Sequence, residues 1–151
     1  MAADAPRVLL RVVLDTQIIV RGLVRRRTSA AVELFDLALE SRRIVGVISP
    51  MLLDDCARVL KMSEIRTMAN PPLDDDLIGE RFTVVPGDFQ DVDRVPKDAK
   101  DNPLVEAALE GSAQAIVSDD DHLLSLKVVK VDGFRPVQVY APGPFLKYVL
   151  G

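Results

Sequence analysis

Two kinds of hydrophobic pattern alternate along this chain: short, nearly unbroken apolar runs, and longer stretches in which apolar residues recur every third or fourth position. The first kind predicts strands buried on both faces, the second amphipathic helices. Leu9 to Leu14, interrupted only by Arg11, is the first predicted strand, followed by Ile44 to Ile48, Arg81 to Val85, Ala115 to Ser118 and Val137 to Tyr140. Ala30 to Glu40 is predicted helical, with Ala31, Leu34, Phe35 and Ala38 on one stripe and Glu33, Asp36 and Glu40 opposite. Ser49 is placed to cap a second helix that has Pro50 at its first position and runs to about Met62. Asn102-Pro103 starts another helix, which Gly111 ends; Asp121 to Leu126 supplies at least one helical turn, and Pro144 to Leu150 a last helix.

The pattern weakens from Ser63 to Leu77, where Asn70-Pro71-Pro72 marks a loop and Asp74-Asp75-Asp76 opens a short helix. Asp88 to Lys100 is polar loop, and Val128 to Val131 with Asp132-Gly133 and Phe134 onward fits, as an alternative, a β-hairpin. Pro136 argues against a central place for that hairpin. The alternation predicts an α/β fold: a three-layer α/β/α sandwich with a mostly parallel sheet of about five strands. No repeat, low-complexity tract or linker divides the 151 residues, so residues 1–151 are expected to form a single domain.

Composition narrows the class. Aromatic residues are 5% with no Trp, so the core is expected to be Val, Leu, Ile and Ala. No apolar run approaches the roughly 20 residues that span a bilayer, and Met1 to Pro6 lacks the basic and long apolar regions of a secretory signal. A single cysteine, Cys56, excludes an internal disulfide and fits a reducing compartment, so a soluble cytoplasmic protein is expected. The net charge of -4 argues against coating nucleic acid by charge alone, yet Arg21, Arg25, Arg26 and Arg27 fall within seven residues.

The candidate chemistry lies in the acids. Asp15 follows the first strand at its carboxyl end, where ligands bind in open parallel sheets; as an alternative it caps a turn. Asp55 lies three residues after Leu52 and four before Val59, along the buried stripe of its helix. A carboxylate there requires a metal or an ion-pair partner. Asp101 heads the stripe of Leu104, Val105 and Ala108, or caps that helix, and Asp98 is placed to support it. Ser118-Asp119-Asp120-Asp121 ends the fourth strand, with helix capping as the alternative role. His122 is the only histidine, so a zinc site is not expected. Acids without His or Cys partners suit a hard cation such as Mg²⁺ or Mn²⁺.

These motifs, in this order, resemble the PIN domain nucleases, particularly the bacterial and archaeal toxin components of toxin–antitoxin pairs. Val12-Val13-Leu14-Asp15-Thr16-Gln17 is similar to the family's opening strand with Asp-Thr-Asn. Ser49 to Asp55 with Arg58-Val59-Leu60 is similar to its second acidic helix, and Asp98-Ala99-Lys100-Asp101-Asn102-Pro103 to its third motif. Ile116 to Leu124 resembles its Val-Thr-Gly-Asp motif, with Asp120 in register and Ser118 beside it, and Val137 to Leu146 its last strand and helix. The departures are Gln17 for Asn, Asp55 for the common Glu, and Asp119 for a frequent Gly.

The resemblance implies a metal-dependent ribonuclease in which Asp15, Asp55, Asp101 and Asp120 hold Mg²⁺ or Mn²⁺ and are the catalytic acids. It implies supporting roles for Thr16, Gln17, Asp98, Ser118 and Asp119, and RNA-backbone contacts for Arg21, Arg25, Arg26 and Arg27. A small antitoxin and a homodimer are the implied partners. The departures leave a second reading: a catalytically weakened or silent member that binds RNA or protein.

Overall fold

Each predicted apolar run becomes a strand in the computed structural model, which describes residues 9–25, 27–62, 76–89 and 102–151. In chain order these residues form β1 (Leu10–Leu14), α1 (Thr16–Val24), α2 (Ala30–Leu39), β2 (Ile44–Ile48), α3 (Pro50–Leu60), α4 (Asp76–Arg81) and β3 (Thr83–Val84). There follow α5 (Pro103–Glu110), β4 (Ala115–Val117), α6 (Asp121–Leu126), β5 (Val128–Val129), β6 (Val137–Tyr140) and α7 (Pro142–Leu150). The sheet has the order β3-β2-β1-β4-β6-β5, and every neighbouring pair is parallel except β5 with β6.

Alternating side chains of a strand point to opposite faces. Val12, Val13 and Leu14 are nonetheless all buried, as are Ala115, Ile116 and Val117, so the two central strands are covered on both sides. α5 packs against β1, β2 and β4, while α2 packs against α1, α7 and β2. The core is aliphatic as composition requires, with Phe35 and Phe145 its largest fully buried side chains. No described helix is long and apolar enough to cross a membrane.

Helix starts follow their caps. Ser29 Oγ accepts from the Val32 N–H at 3.3 Å, Ser49 Oγ from Leu52 at 3.2 Å, and Asn102 Oδ1 from Leu104 at 2.9 Å. Arg11, the one charge inside β1, is also explained: its Nε donates at 2.7 Å to the carbonyl of Gly111. A cation there satisfies the end of α5 and favours its dipole.

Four differences from the sequence expectations have local causes. α1 was not expected, because Ile18-Ile19-Val20 lacks a helix-forming signature by itself; burial of Ile18, Ile19, Val20 and Val24 selects the helix. The sheet has six strands rather than about five, since Val128–Val129 pairs antiparallel with β6 in the hairpin alternative and lies at the sheet edge. Arg81 closes α4 instead of opening a strand, which leaves β3 only Thr83–Val84. The last helix begins at Pro142, two residues before the position the pattern suggested.

α1 and α2 approach closely at Gly22, where an added Cβ would overlap the ring of Phe35. Gly22→Ala is therefore expected to destabilise the protein by about 1–3 kcal/mol through overpacking. That is a fall in Tm of roughly 2–4 °C per kcal/mol for a chain of this size, measured by thermal unfolding.

Candidate functional site

Parallel strands β1, β2 and β4 end at the same edge of the sheet, and the residues that follow them are Asp15, Ser49 and Ser118. The backbone ladder runs on beyond the strands. Asp15 N–H donates to the Val117 carbonyl at 2.9 Å, and Ser118 N–H donates to that of Tyr140 at 2.9 Å. Asp15 stands at the N-cap of α1, but its side chain makes no capping bond; its backbone carbonyl accepts from Ile18 and Ile19. The carboxylate is thus left for a partner outside its own helix.

Ser118 holds that carboxylate. Its hydroxyl, in a fully buried residue, donates to Asp15 Oδ2 at 2.6 Å and accepts from the Asp120 N–H at 3.0 Å. A backbone N–H can only donate, so the bond from Asp120 leaves the hydroxyl hydrogen for Asp15. The short distance is that of a charge-assisted bond. Asp120 in turn accepts the His122 N–H on Oδ1 at 2.9 Å and caps α6. The capping role and the site position therefore coexist in one residue.

Asp55 enters from α3. Its side chain is one-third exposed and Oδ1 accepts from Arg58 at 2.7 Å, an exposed i, i+3 pair. The neighbouring Cys56 is buried. Burial pushes its thiol up to about 12, a hydrogen bond with Thr16 acts the other way, and the charges of Asp55 and Asp15 push it further up. Thr16, next to Asp15, thus meets Cys56, next to Asp55.

The remaining acids and cations are placed as follows. Asp119 is exposed and pairs with Arg21 at 2.6 Å. Gln17 is exposed on α1. Arg25 adopts a left-handed φ of 55° just after α1 and grips Asp36 of α2 with two bonds, at 2.6 and 2.8 Å. The hydrogen bond it donates to Asp36 raises the guanidinium pKa further, against a smaller opposing effect of burial. Arg27 is exposed. Arg26, Asp98 and Asp101 lie outside the described residues. The arginine cluster of the sequence is thus divided, Arg21 toward the acidic edge and Arg25 toward α2.

Among the described residues, no three His, Cys, Asp or Glu side chains form a group able to hold a metal ion. The acids at this edge offer carboxylate oxygens, and that donor chemistry fits a hard divalent cation. Sequence reasoning missed the role of Cys56, whose signal was its place in the buried stripe directly after Asp55, and that of Tyr140, whose carbonyl anchors Ser118.

Compared with known families, residues 11–122, about three-quarters of the chain, match the model of the PIN domain family. No curated protein and no solved structure matches the chain.

Ser118→Ala removes the hydroxyl that joins Asp15 to Asp120, and should cost about 1–3 kcal/mol of stability, read by denaturant unfolding; an unchanged midpoint would mean that the hydroxyl is not engaged. The Cys56 thiol gives a second expectation. An ordinary thiol near 9.0 ionises in the unfolded chain while the folded one holds its proton to about 12. The stability this contributes is complete below about pH 9 and is lost as pH rises toward about 12. Unfolding midpoints of the wild type should fall more steeply across that window than those of Cys56→Ala.

Proposed function

The chain belongs to the PIN domain family, whose members are generally nucleases, and on that premise we propose that it is a metal-dependent ribonuclease and the toxin of a toxin–antitoxin pair. The observation that carries this reading is the linked set Asp120–Ser118–Asp15 at the carboxyl edge, with Asp55 across Cys56. Asp15, Asp55, Asp101 and Asp120 are the residues to hold Mg²⁺ or Mn²⁺. When bound, such a cation supplies a water of lowered pKa and offsets charge on the phosphate.

The chain's own groups do the positioning. Ser118 fixes the direction of the Asp15 carboxylate, and the α6 cap fixes that of Asp120. Thr16, bonded to Cys56, holds the start of α1 against α3. Arg21, Arg25 and Arg27 meet the RNA backbone with Arg26. The existing pairs of Arg21 and Arg25 are exposed, so each is weak enough to exchange its carboxylate for a phosphate. A small antitoxin, a second copy of the chain and a cytoplasmic setting complete the proposal.

One observation favours the second reading, a silent or weakened member that binds RNA or protein. Asp55 already has a partner in Arg58, and a cation must displace it.

Thermal unfolding with added Mn²⁺ or Mg²⁺ separates the two. For the nuclease, Tm rises saturably with metal, by the equivalent of about 2.7 kcal/mol at a hundredfold excess over Kd, and the rise is lost in Asp120→Asn. Asp15→Asn should lower metal-dependent RNA cleavage roughly a hundredfold, about 2.7 kcal/mol of barrier. No metal shift in the wild type, or full cleavage in Asp15→Asn, would sink the nuclease.

A further inference from the structure

On the far side of β6 from the buried Val137 and Val139, a groove of about 350 Å³ lies between the sheet and α7. Its lining includes Ala115, Gln138 and Tyr140 of the sheet, Phe145 and Tyr148 of α7, and the exposed Arg135. Three of these residues form an aromatic cluster. Tyr140 and Tyr148 are stacked with centroids 5.9 Å apart and planes 15° from parallel, and Phe145 packs against Tyr140 at 5.2 Å. Tyr148 is nonetheless 59% exposed, so the stack ends in an open ring face.

An open, nearly parallel aromatic stack is a surface on which a nucleobase lies flat. Charge points to the same occupant. Among the described residues the groove's lining has one charged side chain, the cation Arg135, and no acid, in a protein whose net charge is -4.

The groove runs from the amino ends of β1, β4 and β6, at Leu10, Gln114 and Pro136, and reaches the carboxyl end of the sheet only at Tyr140. Tyr140 is the last residue of β6, and its carbonyl holds the Ser118 that orients Asp15. Neighbouring strands are about 4.8 Å apart, which puts the Tyr140 backbone roughly 10 Å from that of Asp15, two strands away. Tyr140 shares its face with Leu14 and Val117, its register partner, whereas Asp15 and Ser118 are one residue further on. A strand that reached both would have to cross the carboxyl end of β6 from one face to the other.

We propose that Tyr148, Tyr140 and Arg135 form a stacking platform for a base of single-stranded RNA, displaced from the acidic edge and flanking the phosphate held there. The proposal rests on the ribonuclease reading for the direction of the strand, and names a part of the substrate that reading leaves open.

Tyr140 and Tyr148 are the only tyrosines and the chain has no Trp, so intrinsic fluorescence reports on the platform alone. The experiment titrates the full chain with a 2′-O-methylated oligouridylate, with and without Mn²⁺. Tyrosine emission and the anisotropy of a dye on the oligonucleotide are followed together. Quenching that tracks binding is expected, with affinity weakened roughly tenfold in Tyr148→Ala and retained in Tyr148→Phe. Binding without quenching, or undiminished in Tyr148→Ala, overturns the platform. So does a dimer of this chain, seen by sedimentation, that Tyr148→Ala dissociates, because the groove is then a protein interface. Cleavage of unmodified RNA is assayed in parallel. Quenching and the tenfold loss with no metal-dependent cleavage leave the platform standing and remove the nuclease; cleavage with no effect of Tyr148→Ala does the reverse.

Discussion

The register of β1, β4 and β6 is the constraint on which the rest of the molecule depends. Two lateral backbone bonds continue the ladder past the strand ends, from Asp15 to Val117 and from Ser118 to Tyr140. A slip of one residue in either pair would turn the buried runs Val12-Val13-Leu14 and Ala115-Ile116-Val117 by one face each. It would also move the Ser118 hydroxyl away from the Asp15 carboxylate. Core packing and site geometry are therefore decided by the same register, and neither can drift without the other.

The acids at the edge carry an electrostatic cost that the fold distributes rather than removes. Asp15 has a hydroxyl donor, Asp120 a helix N-terminus, Asp119 and Asp55 each an arginine. Each of these contacts uses one oxygen of its carboxylate, and burial pushes the neighbouring Cys56 thiol up to about 12.

Much of this was legible in the chain. Strand runs at Ile44 to Ile48 and Ala115 to Val117 are buried on both faces and short, so few other structures accommodate them. Ser49, Asn102 and Gly111 mark helix limits by chemistry that acts within a few residues. The order of the acidic motifs was readable for the same reason, since position at a strand end or helix head is a local property. α1 was not legible, because Ile18-Ile19-Val20 suits a strand as well as a helix until α2 and α3 are there to bury it. The hairpin of β5 and β6 was legible only as an alternative, because its edge position is provided by the strand order.

The sequence by itself determined the α/β alternation, the caps, the aliphatic core and the candidate acids, because burial period and capping are properties of neighbouring residues. Tertiary structure alone decided that Ser118 bonds Asp15 over a separation of 103 residues, and that Arg21 and Arg25, four residues apart, serve different partners. It alone brought Tyr140 and Tyr148 into one stack beside the acidic edge. Those choices depend on which strand lies beside which and on how each helix is turned, and such long-range relations have no signature in local spacing.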